Sequence, residues 1–364
     1  MARELRKGCE AIGEAAVRAG CRLFFGYPIT PQTEILEYLS RRLPEVGGTF
    51  LQAESEVAAV NMLYGAAGAG ERVMTASSSP GISLMMEGVS YLAGAELPAV
   101  IVNVMRAGPG LGGILPGQCD YLQATKGGGH GDYRCPVLAP WSVPEAADLV
   151  RDAFDLADYY RNPALVLCDG VIGQMEEPVD LAGDRPPCKP LAPKTWATTG
   201  WRGDRPRAVI NSLILDPEKL EQHNLALQAK VAAMVRDEVR CAALRADAPH
   251  EVLLVAYGIA ARVCATALDG LAARGIAAAL CRPVSLFPFP YAEVRRAAAG
   301  ARVVLVVELS GGQMIEDVRL ALEGRWPIHF YGRQGGMLAV PEDVAQAAEA
   351  ALRDPAGPGD RRHA

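Results

Sequence analysis

The sequence predicts an α/β protein built from two doubly wound, mainly parallel sheets, a larger one first and a smaller one after it. Three observations carry that expectation. Short, nearly continuous apolar runs alternate with helix-like stretches through the first 178 residues, the pattern of parallel strands covered by helices on both faces. Residues 179–215 break the rhythm with a segment rich in Pro, Gly, Lys, Arg and Trp (RPPCKPLAPKTWATTGWRGDRP), a composition suited to a linker that wraps another surface. From His250 the alternation resumes.

Taken in order, the opening stretch MARELRKGCEAIGEAAVRAG mixes both charge signs and predicts an amphipathic helix, not a signal peptide. Strands are expected at RLFFG (22–26), TFLQ (49–52), RVMTA (72–76), PAVIVNVM (98–105), PVLAP (136–140) and PALVLCD (163–169). Between them PQTEILEYLSRRL, EVAAVNMLYGAAGAG, GISLMMEGVSYLAGA and VPEAADLVRDAFDLADYY carry helical spacing. Together these make a first domain over 1–178. Asp216–Arg245 is charged and helical in pattern, so 179–249 is expected as linker and connecting helix. The second domain, 250–345, has strands at EVLLVAYG, IAAALCRP, RVVLVVE and PIHFYG. Its helices fall at Ala260–Ala273, after Pro290 and at GGQMIEDVRLALEG. Residues 346–364 are expected as a C-terminal tail, its basic tip (Arg361, Arg362, His363) frayed in solvent.

Composition narrows the function classes. Half the 364 residues are apolar and 21% are charged, so the chain can bury two cores. A formal charge of -6 gives no electrostatic reason for a nucleic-acid or anionic-membrane partner. No segment reaches the ~18 uninterrupted apolar residues that would span a bilayer. The 9 cysteines include no CxxC and several lie inside apolar runs, as in PALVLCDG. That usage fits small buried hydrophobes in a reducing cytoplasm, and leaves no ordinary four-cysteine motif for an iron–sulfur cluster.

Ligands of open parallel sheets gather at the carboxyl ends of the strands, and four loops there carry unusual residues. Gly26-Tyr27-Pro28-Ile29-Thr30-Pro31 follows a strand; Thr30 is placed either to cap a helix beginning at Pro31 or to hold an anion. Ala53-Glu54-Ser55-Glu56 puts two acids at a helix start, where one complements the helix dipole and an inward-facing one is free for a task. Ser77-Ser78-Ser79-Pro80-Gly81 leads into another helix, a common and unspecific anion-binding pattern. Arg106 closes a buried strand ahead of AGPGLGGILPG; burying it is costly without a carboxylate or phosphate partner. A further glycine cluster, 127–131, holds His130, which serves there as a positioning hydrogen bonder or as an acid–base group. No P-loop, GxGxxG after the first strand, HExxH, GxSxG or zinc spacing occurs.

In this order, GCEAIGEAAVRAG, FFGYPITPQTEILEYL, QAESEVAAVNMLYGAAGAG, TASSSPGISLMMEGVSYLAGAELPAVIVNVMRAGPGLGG, QATKGGGHGDY, INSLILDPEKLEQHNLALQAK, LVAYGIAARV, RPVSLFPFP and VVELSGGQMIEDVR resemble the α subunit of the 2-oxoacid:ferredoxin oxidoreductase family. The resemblance covers all but the last ~20 residues. Its GPGLGG…GGGHGDY and WATTGWRG segments are most similar to the branched-chain, 3-methyl-2-oxobutanoate type. It implies a thiamine-diphosphate pyrimidine-binding domain over 1–178 and a transketolase C-terminal-like domain over 250–345. Position by position, Glu56 in SEV matches the family glutamate that hydrogen-bonds N1′ of the cofactor's aminopyrimidine. Tyr27, Pro28 and Ile29 flank the same cofactor, and Thr30 and Arg106 match positions that hold the 2-oxoacid and its carboxylate. His130, Asp120 and Gln118 are expected to line the same cleft without an assigned role.

The resemblance also implies what lies elsewhere. The GDG…N stretch that holds diphosphate and Mg²⁺ in thiamine enzymes is absent, and Cys168-Asp169-Gly170 lacks its first glycine and trailing asparagine. Diphosphate and Mg²⁺ are therefore expected on a β subunit, and [4Fe–4S] centres on partners that include a γ subunit and a ferredoxin-like δ subunit. CoA is the expected co-substrate and ferredoxin the acceptor. Three rivals stand beside this: the same chemistry on 2-oxoglutarate, pyruvate or an aryl-pyruvate; a dehydrogenase E1 β-like chain serving lipoamide; and a catalytically dead assembly subunit.

Overall fold

The computed structural model describes residues 3–181, 183 and 185–355. In chain order its first part runs β1 (Glu4–Lys7), α1 (Gly8–Arg18), β2 (Leu23–Gly26), α2 (Thr33–Glu45), β3 (Thr49–Gln52), α3 (Glu56–Gly68) and β4 (Val73–Ser77). Next come α4 (Ser79–Gly94), β5 (Ala99–Met105), α5 (Tyr121–Lys126), β6 (Val137–Leu138), α6 (Val143–Tyr160), β7 (Pro163–Asp169), α7 (Gly170–Gln174) and β8 (Glu176–Val179). The long helix α8 (Pro217–Asp237) leads to β9 (Cys241–Leu244), β10 (Val252–Val255), α9 (Gly258–Ala273), β11 (Ala278–Pro283) and β12 (Ser285–Phe287). The chain continues with α10 (Tyr291–Ala298), β13 (Val303–Glu308), α11 (Met314–Leu322), β14 (Ile328–Gly332) and α12 (Pro341–Arg353).

These strands make a seven-stranded sheet ordered β12-β6-β7-β5-β4-β2-β3 and a five-stranded sheet ordered β14-β13-β10-β11-β9. Within the larger sheet every pair is parallel except β12 with β6. β5 and β7 are buried along their whole length, which explains why both are unbroken apolar runs. Helices cover both faces, α1 and α6 on one side and α3 and α4 on the other.

Four local expectations need correcting. The opening segment is a strand before it is a helix: β1 pairs antiparallel with β8, Glu4 opposite Val179. Neither strand carries an apolar run, because this two-stranded ribbon lies half in solvent. The connecting helix stops at Asp237, and Cys241–Leu244 adds an antiparallel edge strand to β11; its CAAL sequence favours a helix locally and pairing overrides it. Residues 285–287 leave the second sheet and pair with β6 of the first. Finally, α12 extends to Arg353 and packs on α9, so the expected tail begins with an ordered helix. The basic tip at 361–363 lies outside the described residues.

Gln118 and Asp169 tie the two sheets together. The Gln118 side chain donates to the Tyr257 carbonyl at 2.9 Å and accepts from the Leu309 N–H at 2.9 Å. Asp169 caps α7 through Oδ1, accepting from Val171 and Ile172, while its Oδ2 accepts from the Ile259 N–H at 2.7 Å at the start of α9. One carboxylate thus caps a helix from each domain. Gly258 makes room for it: φ is +55° there, and a Cβ would collide with Asp169 Oδ2 and Gln118 Nε2.

Candidate active site at the carboxyl edge of the larger sheet

β2, β4 and β5 end side by side, and their following loops bring Tyr27–Pro31, Ser77–Ser79 and Arg106 to one edge. Ser55 caps α3 by accepting from the Ala58 N–H at 3.2 Å. Glu56 therefore becomes the first helical residue and turns inward, only 5% exposed. Its neighbour Glu54 stays exposed. Among the described residues no hydrogen bond or ion pair is made by the Glu56 carboxylate. It packs instead on the bare Cα of Gly81 in the first turn of α4, where a Cβ would collide with both Glu56 Oε1 and Ser77 Oγ. The Ser77 and Ser78 hydroxyls are buried there without a partner. Buried hydroxyls left unmade cost free energy unless something outside the chain completes them.

Arg106 is buried, and its guanidinium spans two backbone carbonyls, Thr30 at 3.0 Å and Leu111 at 2.9 Å. Its Nε is buried and unpaired, and no carboxylate of the described residues forms an ion pair with it. The sequence expectation that such an arginine needs an anionic partner is thus not met from within the chain. Asp120, Asn103 and Ser79 lock the strand end behind Arg106. Asp120 Oδ2 accepts from Ser79 Oγ at 2.6 Å and Asn103 Nδ2 at 2.9 Å, and Ser79 Oγ accepts from the Arg106 N–H at 3.0 Å. Burial raises the Asp120 pKa, against these hydrogen bonds. Sequence reasoning placed Asp120 near the cleft but did not link it to Ser79 or Asn103, since their partnership joins the start of α4, the end of β5 and the loop before α5.

Thr30 needs correction as a cap. α2 begins at Thr33, with Gln32 in the cap position, so Thr30 lies before the helix and is exposed. Its carbonyl, not its hydroxyl, makes the described contact with Arg106. Tyr27 is 38% exposed, Pro28 and Ile29 are half-buried, and the Gln32 side chain ties the loop by donating to the Tyr27 carbonyl at 3.1 Å. His130 is exposed, and its glycine loop packs on α4 beside Met86 and Ser90, more than a turn from Gly81. The structure does not bring it to Glu56. Asp169, the acid of the Cys168-Asp169-Gly170 stretch, is committed to two helix caps.

Among the described residues no group of three or more His, Cys, Asp and Glu is arranged to hold a metal ion. No described helix is long and apolar enough to cross a membrane.

Residues 14–237 match the family model described as pyruvate flavodoxin/ferredoxin oxidoreductase, thiamine diphosphate binding. Residues 250–344 match pyruvate:ferredoxin oxidoreductase core domain II. A ketoisovalerate oxidoreductase subunit VorB from Methanothermobacter marburgensis is 51% identical over 94% of this chain and 96% of its own length. A solved 2-oxoglutarate:ferredoxin oxidoreductase from Magnetococcus marinus, with 2-oxoglutarate, coenzyme A and succinyl-CoA bound, superposes with a TM-score of 0.85 at 25% identity. That match covers 96% of this chain, which spans 65% of the Magnetococcus one. A split-gene transketolase in an inactive β4 tetramer shares the fold at 15% identity and a TM-score of 0.58, over 95% of this chain and 98% of its own.

The fold is therefore that of thiamine-diphosphate-binding α/β proteins, with the candidate site at the sheet edge where such folds hold ligand. The chain belongs to the 2-oxoacid:ferredoxin oxidoreductase family.

Proposed function

We propose that the chain is the α subunit of a 2-oxoacid:ferredoxin oxidoreductase acting on branched-chain 2-oxoacids of the 3-methyl-2-oxobutanoate type. The complex forms acyl-CoA and CO₂ and passes electrons to ferredoxin. One observation carries the reading: Glu56 is a buried carboxylate with no partner among the described residues, set against Gly81 and the unpaired Ser77 hydroxyl. Such an arrangement is costly unless a ligand supplies the missing donor. The substrate class rests on the 51% identical ketoisovalerate oxidoreductase subunit.

These residues fit the aminopyrimidine half of thiamine diphosphate. Bound there, the cofactor supplies the carbanion-stabilising chemistry by which a 2-oxoacid loses CO₂. Glu56 holds a proton at N1′ and so sets the protonation state of the ring. Tyr27, Pro28 and Ile29 form the loop flanking it. Arg106 holds the substrate carboxylate through the guanidinium edge that carries its free Nε, and Thr30 is assigned to the same substrate. Asp120 is a positioning residue, acting on Arg106 through Ser79.

The chain's described residues do not fit a Mg²⁺ site. We assign the diphosphate-bound Mg²⁺ to a β subunit, and the [4Fe–4S] centres to partners including γ and ferredoxin-like δ subunits. The complex works in the cytoplasm, where the free cysteines stay reduced.

The test is purification of the assembled complex, followed by assay with 3-methyl-2-oxobutanoate, 2-oxoglutarate, pyruvate and an aryl-pyruvate, with CoA and a viologen dye. The branched substrate is expected to give the highest kcat/KM. Preference for 2-oxoglutarate would move the chain to the other substrate class of the same family, and co-purification with a lipoyl carrier would refute the ferredoxin-linked reading.

A further inference from the structure

A second cleft lies at the opposite edge of the larger sheet. Arg22 directly precedes β2 and Arg72 precedes β4, so both stand at the amino ends of strands whose carboxyl ends carry the candidate active site. Together with Arg18 on α1, Arg42 on α2, Arg151 on α6 and Arg185, they line a cavity of about 480 Å³. That volume suits a small ligand. The only acids among the described lining residues are Asp152 and Asp155.

The carboxylates within reach are already shared. Glu14 accepts from Arg18 at 2.7 Å, Arg42 at 3.0 Å and the Tyr38 hydroxyl at 2.8 Å. Asp152 serves Arg185 at 2.9 Å and Arg240 at 2.5 Å. Asp155 takes Arg72 at 2.7 Å and the Cys188 N–H at 2.9 Å. Two cations are left over. Among the described residues Arg22 contacts only the carbonyls of Val17 and Cys21, at the end of α1. Arg151 donates to the Leu181 carbonyl at 3.2 Å, and its Nε is buried with no partner. Among the described residues neither has an ion pair. Burial lowers the Arg151 pKa, Asp148 opposes that, and Arg18 and Arg185 add to the lowering. Like charges gathered around a cleft, with one donor stranded, make a site for a polyanion.

We propose that this cleft binds a small anion carrying at least two phosphate or carboxylate groups, held between Arg22 and Arg151. It is a site separate from the thiamine diphosphate edge. The proposal does not depend on the substrate assignment above.

The test is calorimetric titration of the full chain at fixed ionic strength and without thiamine diphosphate, whose own diphosphate would compete with the probes. Pyrophosphate and citrate are the probes, which separates phosphate from carboxylate preference, and acetate is the control. At least one probe is expected to saturate the chain with one site, while acetate gives no saturable heat. The variant R22Q/R151Q is expected to weaken that binding at least tenfold. R151Q alone, which keeps the Arg22 contacts to α1, is expected to weaken it several-fold and serves if the double variant fails to fold. R151K should retain most of it. Equal binding by wild type and R151Q, or no saturation by either probe, would overturn the proposal. So would binding that disappears on assembly with partner subunits, which would give the cleft to an acidic surface of a partner.

Discussion

Two buried glutamates sit where a parallel strand hands over to a helix, and they have opposite surroundings. Glu308, at the end of β13, is fully buried and accepts from the Ser310 hydroxyl and the N–H groups of Gln313, Met314 and Ile315. Glu56, at the start of α3, accepts nothing from the described residues. The first is a helix-end fixture: burial raises its pKa, and the surrounding donors hold it in place. The second faces an edge where Ser77, Ser78 and Arg106 Nε are also unpaired. The contrast is between a carboxylate whose donors the chain supplies and one whose donors it leaves open.

The sharpest way to break that contrast is Glu56→Gln. We expect kcat of the assembled complex to fall by roughly 10²–10⁴-fold with little change in unfolding midpoint; near-normal turnover would remove the proposed role. Glu308→Ala should do the reverse, costing roughly 3 kcal/mol or more by stranding buried N–H donors, as read by thermal unfolding. Gly81→Ala probes the contact itself. Its Cβ would displace the Glu56 carboxyl and Ser77, so activity should drop about as far as in Glu56→Gln, and the crowded turn should also cost roughly 1–3 kcal/mol in thermal unfolding.

A step smaller, Arg106→Ala should raise KM for the 2-oxoacid by about 10- to 100-fold, the cost of losing charge-assisted hydrogen bonds. An unchanged KM would sever the arginine from the substrate carboxylate. The smallest effect expected concerns the join between domains. Burial pushes Asp169 up to about 6, against the N–H groups of Ile259, Ile172 and Val171, whereas an unfolded aspartate titrates near 3.9. The folded chain therefore holds the extra proton between those values. Asp169 adds stability as pH falls below about 6 and loses it as pH rises through that value. Wild-type stability relative to Asp169→Asn should thus increase on going from pH 7 to about 5, by roughly 1.4 kcal/mol at most. A flat difference would show that the three N–H groups outweigh burial.

Residue order alone determined the alternation of strands and helices, the inward placement of one of the two acids at 54 and 56, and the arrival of Arg106 at a strand end, because continuous apolar runs and capping residues are local signals. The strands it missed, β1, β8, β9 and β12, lack such runs: each is defined by the strand it pairs with, a long-range event that leaves no periodicity. Only the tertiary structure decided that Ser79, Asn103 and Asp120 lock together behind Arg106, and that Asp169 caps helices from both domains. Both depend on loops far apart in sequence meeting at one sheet edge. Which buried polar groups stay unpaired was settled at the same level, since a side chain's missing partner is a property of everything packed around it.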